Sequence, residues 1–567
     1  MMRICVFLSI AFAGQALAQP VINSGGIVNV SGNQPLLAPN VVFAVYGQNL
    51  GPASIVIASA PSYPSSLAGT SLKFTPTGGG AAIVPKLVFT ESIAVAGVLP
   101  STITPGTYAV QVTYLNQTSA SQNVTVVARD FNIATANGIG TGTAQASIAN
   151  VNAGYSLTRF TSSTSPPVPG TFTNTPAHSL DIISLWGTGG GADTANDTGG
   201  SSGDQTATGN FKVILGSQTI TPGYAGAVAG YPGLWVVIFT VPAGITPDCF
   251  TPLQVSSNGQ LSNSAILPIA ATGQTSCAGQ ISTSTLSKLD SGGHIIDAVL
   301  SIGTTTSTIA GTTTVTEAVG ALFQNFSASA FLPPFAGPVV GPCRIFLESF
   351  PVGGKPPTLP DSYLNAGTLT ISGPGIPAQT VGTVAVTSPG GSYYYSKFPT
   401  GTISNGGTYT ITGAGGPDIA PFSVTQTMPP SFAVTNFSSL TTINRTQPTT
   451  INWTGGGSGT VVITVQTLHF DSSFTNTFEA FVACTVPTSA NTFTIPAAAL
   501  AYLSPVTPGG SDFAQLTVGA GPAFAGGVTT GVSIAAEQFT PALTAGGTAD
   551  FGSFASIISI GQSIGVQ

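Results

Sequence analysis

Two stretches of this chain hold side chains of the kinds that do chemistry. The first is the Gly-rich run from Gly187 to Gly209, which carries Asp193, Asp197 and Asp204 with Asn196 between them. Carboxylate and amide oxygens on one loop are the donor set that Ca²⁺ takes. The spacing fits neither an EF-hand nor a Gly-Asp β-roll repeat. The expected state is therefore a solvated surface loop with no cofactor, calcium being the alternative. The same run contains Gly199-Gly200-Ser201-Ser202-Gly203, a formal G-x-S-x-G, and Gly187-Thr188-Gly189-Gly190-Gly191-Ala192, a formal G-x-G-x-x-A. A nucleophile elbow needs a strand before it and a helix after it. A dinucleotide site needs a helix N-terminus to hold the pyrophosphate. Asp, Thr, Ala, Asn and more Gly and Ser follow instead, and His178, His294 and His469 lie far apart in the chain. The second stretch is Tyr393-Tyr394-Tyr395, after Pro389-Gly390-Gly391-Ser392. Consecutive residues of a strand face opposite ways. The expectation is a hairpin with Tyr394 packed inward and its neighbours outward, where aromatics stack on sugar rings or anchor a protein partner. Glycoside hydrolysis needs two carboxylates about 5–10 Å apart, and none of the 18 acidic residues forms a suggestive pair. No residue is assigned a catalytic role.

The elements that must position these residues are strands. Of 567 residues 71 are Gly and 43 Pro, and only 5% are charged, against about 25% in an average domain. Thr, Ser and Val dominate the rest. β-branched residues favour strands, and Gly and Pro supply turns. Helical faces are nearly absent; the one short helix expected is a turn at Pro496–Tyr502, and Trp186, Trp235 and Trp453 fall on strands as core residues. The 42% hydrophobic content is enough for real cores rather than disorder. The length suggests about four domains. A net charge of −7, with 11 Lys and Arg in the whole chain, excludes nucleic-acid binding and a polybasic membrane patch.

Arg3, the apolar run Ile4–Ala13 and Ala16-Leu17-Ala18 read as a signal peptide over residues 1–18. Downstream there is no apolar run long enough for a transmembrane helix. The expectation is an exported chain starting at Gln19: extracellular, cell-surface or periplasmic. Four cysteines then remain, and an even number in an exported chain suggests two disulfides. Cys249–Cys277 closes a short loop inside one module. Cys343–Cys484 is left by default and would tie two modules together, free buried thiols being the alternative for that pair.

Residues 19–129 form a first module, with strands expected at Val41–Tyr46, Ser71–Thr75, Ile83–Phe89, Tyr108–Tyr114 and Gln122–Val127. Pro85 implies an edge strand or a later start. Residues 130–283 repeat the plan: Tyr46-Gly47 parallels Trp186-Gly187, and Pro105-Gly106-Thr107-Tyr108 parallels Pro232-Gly233-Leu234-Trp235. The second pair recurs at a shorter interval than the first, so the repeat has no fixed period. Ser282 to Gly293 reads as a linker. Residues 284–427 and 428–567 form two further β-rich modules, the last with a hairpin around the Gly455–Gly459 turn.

Tyr46-Gly47-Gln48-Asn49-Leu50-Gly51 resembles the strand-turn signature of IPT/TIG immunoglobulin-like domains. With Trp186-Gly187-Thr188-Gly189, Pro232-Gly233-Leu234-Trp235, and Asp248-Cys249-Phe250 followed by Ser262-Asn263 and Cys277, the first two modules resemble those of uncharacterised exported acidobacterial proteins of the Solibacter type. Gly341-Pro342-Cys343, Trp453-Thr454-Gly455-Gly456 and Cys484-Thr485-Val486-Pro487 resemble their C-terminal part. The resemblance implies an all-β fold of tandem immunoglobulin-like antiparallel β-sandwich modules and no particular activity. The expected function is non-catalytic, a cell-surface or extracellular binding or adhesion protein with a glycan or a cell-surface protein as partner. The alternatives are a structural protein that self-associates through its edge strands, and an accessory to polysaccharide-acting enzymes.

Overall fold

The computed structural model describes residues 19–567 apart from 33–34, 139, 141, 151–153, 164–171, 217, 278–281, 310, 328–338, 352–359, 388–389, 471–475, 508–511 and 522–536. The expected signal peptide, residues 1–18, lies outside the described residues. The fold is all-β, a tandem of antiparallel sandwiches, with short helices at Thr283–Ser291 and Ala497–Leu500.

In the first module two sheets of five and six strands face each other. The strand Gly106–Tyr114 shows the cause. Its Tyr108, Val110 and Val112 alternate with Thr107, Ala109, Gln111 and Thr113 and are buried in a core that also takes Phe43, Val45, Phe74 and Val124. Burying each such side chain contributes about 1.5–3 kcal/mol. The third expected strand starts at Lys86, just past Pro85, and Ile83 makes only an isolated bridge to Phe74.

The second module repeats this with sheets of seven and five strands. The aromatic-Gly pairs are true landmarks. A Cβ at Gly47 would strike the Val21 carbonyl, and one at Gly187 the Asn132 carbonyl, so each glycine lets the module's first strand cross close by. The Pro-Gly-x-aromatic match is a correction. Leu234–Thr240 pairs with Ile182–Thr188, as Ala94–Val98 pairs with Val42–Gln48, whereas Gly106–Tyr114 lies in the opposite sheet. Tyr46 is paired with Ala94, and Trp186 with Val236. From Ala94 to Val236 the chain advances by nearly the same interval as from Tyr46 to Trp186. The period is thus almost constant once strand pairing, not turn composition, defines equivalence. Trp235 and Trp453 are core residues, while Trp186 is only half-buried, on the outward face of its strand.

The expected boundary at 427/428 does not separate two sandwiches. One 12-stranded sheet draws strands from both sides of it. His294–Ile309 pairs with Thr312–Ser327 and, in parallel, with Phe551–Ser563. Thr460–Phe470 pairs with Asn476–Pro487 and Phe513–Gly521. A four-stranded sheet and a three-stranded sheet accompany it, and a single core runs from Ala298 to Val566. Cys343 and Cys484 are bonded directly opposite each other on adjacent strands of this sheet, so the bridge lies within one unit rather than between two. Cys249 and Cys277 are bonded as expected.

Two further expectations change. The strands flanking Gly455–Gly459 do not form a hairpin: Thr449–Gly455 joins the three-stranded sheet, and Thr460–Phe470 the large one. Gly455, Gly456 and Gly457 all have positive φ, which lets the chain cross between layers. The expected linker is a helix, Thr283–Ser291, capped by the Ser282 hydroxyl on the Thr285 N–H. Leu286 packs on Phe160, Phe250 and both half-cystines Cys249 and Cys277, and Leu289 on Ile295, Phe326 and Phe551.

Candidate functional site

The Gly187–Gly209 run is solvated only in part: Asp204 is exposed, but the turn around Asp193 and Asn196 is buried. Its Asp193 is 2% exposed. The Asp193 carboxylate accepts from the N–H groups of Ala195, Asn196 and Ser202, the Ser202 hydroxyl and the Gln205 amide. Asp197 reaches into the first module, accepting from Asn40 Nδ2 at 3.0 Å and from the Ser101 N–H and hydroxyl. Asn40 Oδ1 accepts in turn from the Asp193 N–H. Asp204 accepts from the Thr206 hydroxyl and from the Thr206 and Ala225 N–H groups, which hold its carboxyl below the usual range. Among the described residues no three His, Cys, Asp or Glu side chains gather into a metal-holding group. The run serves as a joint between the two modules, with the carboxylates of Asp193 and Asp197 held by protein donors.

The G-x-S-x-G match lies in turn and coil, without the strand before it and the helix after it that a nucleophile elbow needs. Ser201 accepts from the Gly203 N–H. His178, His294 and His469 each pair with a different aspartate, Asp181, Asp361 and Asp512. The G-x-G-x-x-A match leads into a three-residue 3₁₀ turn, Asn196–Thr198, too short to offer an anion site.

The tyrosine run lies on the strand Ser392–Phe398, which pairs with Thr383–Ala385 as a hairpin and with Thr312–Ser327 on its other side. Tyr394 stands opposite Ala321 on the core face, 3% exposed and edge-on to Phe323 at 6.0 Å. Its hydroxyl accepts from the Ala366 N–H at 2.9 Å. Alternation turns Tyr393 and Tyr395 to the opposite face, where both are half-buried. Tyr395 lies opposite Gly320, which carries no side chain to cover the ring. Tyr363, opposite Gln324 on the same strand, brings a third ring, 6.2 Å from Tyr393 and tilted by 51°. Burial, and then Tyr393, push the Tyr363 hydroxyl above its ordinary pKa. Tyr363 was not legible in the sequence, because a two-residue strand leaves no periodicity to find.

No family model and no curated protein matches this chain. Among solved structures, it is similar to the SGBP-B protein of a Bacteroides ovatus mixed-linkage glucan utilization locus, solved with a heptasaccharide: 11% identity over 45% of this chain and 48% of that one, TM-score 0.20. The chain thus spans about half the length of that protein. It is also similar to the FN1–FN3 domains of chicken CNTN1, at 9% identity over 61% and 90% of the two chains with a TM-score of 0.11. A third likeness is the BSP domain of a biofilm-associated protein, at 10% identity over 97% and 99% with a TM-score of 0.12. Likenesses this distant carry no functional weight, and the residues themselves must supply it.

Proposed function

We propose that this chain is an exported, non-catalytic binding protein of the cell surface or extracellular space, and that it contacts glycans through the Tyr363–Tyr393–Tyr395 platform. The observation that carries the reading is the split of the tyrosine run: Tyr394 goes into the core, while Tyr393, Tyr395 and Tyr363 gather on the other face of the sheet. Aromatic rings held rigidly and half-open to water stack on the apolar faces of sugars, and their hydroxyls hydrogen-bond sugar hydroxyls. The two disulfides support an oxidising compartment, in keeping with export. Binding of residues 19–567 to an array of glycans and cell-wall polymers tests the proposal. Replacing Tyr393 and Tyr395 together by Ala should lower binding at least about tenfold without unfolding the chain. A blank array overturns it and moves weight to a protein partner or to self-association through edge strands. Sedimentation at rising concentration then separates those two.

A further inference from the structure

Tension along a chain is resisted by the pairing between the strand where the chain enters a unit and the strand where it leaves. In residues 284–567 these are His294–Ile309 and Phe551–Ser563. They pair in parallel over twelve residues, from Asp297 with Phe551 to Thr308 with Gln562. Both strands run the same way, and the chain enters at the start of one and leaves from the end of the other. Pulling on the chain therefore slides them past each other, so the evenly spaced hydrogen bonds of the ladder are strained together and break together. Strands pulled apart from one shared end open a single hydrogen bond at a time. Both strands sit inside the sheet, flanked by Thr312–Ser327 and Phe513–Gly521. Phe554 and Ile558 on the core face, and Ala555 and Ser559 on the other, are buried, which keeps water from the ladder. Asp550 secures the end where tension arrives. Its N–H donates to the Ile296 carbonyl, and its carboxylate accepts from the Ile296 N–H at 3.0 Å and from Lys288 Nζ of the helix Thr283–Ser291.

The first two modules have no such ladder among their described residues. In the first, the last strand, Gln122–Val126, meets the entering chain in parallel at two residues, Leu36 and Leu37. In the second, the corresponding links are isolated parallel bridges, Thr143 with Ile266 and Ala177 with Ile269. We infer that residues 284–567 form a mechanical clamp that stays folded under tension along the chain and yields after the first two modules. A protein that holds a cell surface to a ligand is pulled in this way, which is the one point taken from the binding reading above. The tyrosine strand Ser392–Phe398 pairs with Thr312–Ser327, so a pull from the platform toward the C-terminal end crosses the same ladder. Cys343–Cys484 limits what yielding releases: while bonded, it withholds a separation of 141 residues, about 500 Å of extended chain.

Single-molecule pulling of residues 19–567, held at the two ends, tests this. Residues 284–567 should yield at several-fold the force of the first two modules, so that their step comes last. Reductant identifies the step, which should then lengthen by about 500 Å as Cys343–Cys484 opens. Pulling direction provides the second measurement, with handles on exposed residues of the same folded chain. Handles at Ser291 and Gln567 slide the two strands past each other, and the unit should resist as it does in the end-to-end pull. Handles at Ser291 and Ala545 grip the starts of both strands and should unzip them at several-fold lower force. Residues 284–567 yielding before the first two modules, or at equal force in both directions, overturns the clamp. That result leaves the glycan reading where it stands, and a blank glycan array leaves the clamp standing.

Discussion

Tyr394 and its two neighbours differ in what they can lose. Truncating Tyr394 empties a core site beside Phe323 and leaves the Ala366 N–H unpaired. Tyr394→Ala should therefore cost about 3–5 kcal/mol, and Tyr394→Phe about 1 kcal/mol. Tyr393→Ala and Tyr395→Ala should each change stability much less than Tyr394→Ala, in urea unfolding of the three variants. A loss of binding in Tyr394→Ala would report damage to the fold rather than to the platform. Asp297 makes a separate prediction. It is 3% exposed, its Oδ1 has no partner, and burial pushes its carboxyl up to about 7. Asp130, at the first joint, is likewise pushed up to about 7 by burial, against the Asn132 amide that favours its charge. A raised carboxyl pKa means that the folded state holds its proton more tightly than the unfolded one. Its stabilising contribution is complete below the ordinary value near 3.8 and is lost as pH rises through about 7. Stability should thus fall between about pH 4 and pH 7, and Asp297→Asn should flatten that slope and raise stability at pH 8. A parent chain whose unfolding midpoint rises over the same range would contradict this.

At the scale of elements, the chain spends its few carboxylates on joints. Asp193 and Asp197 lock the Gly-rich run to the first module. On the helix Thr283–Ser291, Asp290 accepts from the Phe160 and Thr161 N–H groups of the second module. Lys288 of the same helix bonds Asp550, which also takes the Ile296 N–H of the third unit. This helix is therefore a brace between units. Asp193→Ala would take this acceptor from the buried Asn196 N–H and from the half-buried Ala195 N–H and Gln205 amide, at up to about 1–3 kcal/mol each before relaxation, and limited proteolysis should then cut within residues 187–209, which resist in the parent. Because these oxygens are already accepting, millimolar calcium should leave the melting temperature unchanged. A rise of several degrees would show that the run opens to take a cation.

For the whole molecule, the prediction concerns where the chain can be divided. Residues 19–283 hold two complete sandwiches with their own cores. Residues 284–427 do not, since the strand His294–Ile309 needs Phe551–Ser563 beside it. Expressed alone, 284–427 should be unfolded by circular dichroism and hydrogen exchange, while 284–567 folds. The disulfides act on the same scale. In the chain-entropy account, closing the 141-residue separation of Cys343 and Cys484 contributes about 5 kcal/mol, and the 28 residues between Cys249 and Cys277 about 4 kcal/mol. Removing Cys343–Cys484 should therefore lower the stability of 284–567 more than removing Cys249–Cys277 lowers that of 19–283.

Composition and alternation by themselves determined that this chain is all-β, placed five strands of the first module but not Val21–Asn29 or Ala94–Val98, turned Tyr394 inward, and favoured Cys249–Cys277 while leaving Cys343–Cys484 by default. These are local facts: a period of two, a proline that cannot donate, an even cysteine count. The aromatic-Gly landmarks were legible for the same reason, since a strand crossing so close leaves room for no side chain. Only the tertiary structure decided what depends on pairings far apart in sequence. The merging of residues 284–567 into one sheet rests on a parallel pairing between the first long strand of that unit and its last, His294–Ile309 with Phe551–Ser563, which no window of sequence contains. The Gly-rich run looked solvated because its composition is that of a loop, and it became a joint because Asn40 and Ser101 arrive from another module. The brace helix showed only Leu286 and Leu289 as an apolar face, too little to stand out from a Ser/Thr-rich linker. The gathering of Tyr363 with Tyr393 and Tyr395 is visible only after three strands are set in register, because a side chain's neighbours across a sheet are fixed by hydrogen bonding between strands and not by position along the chain.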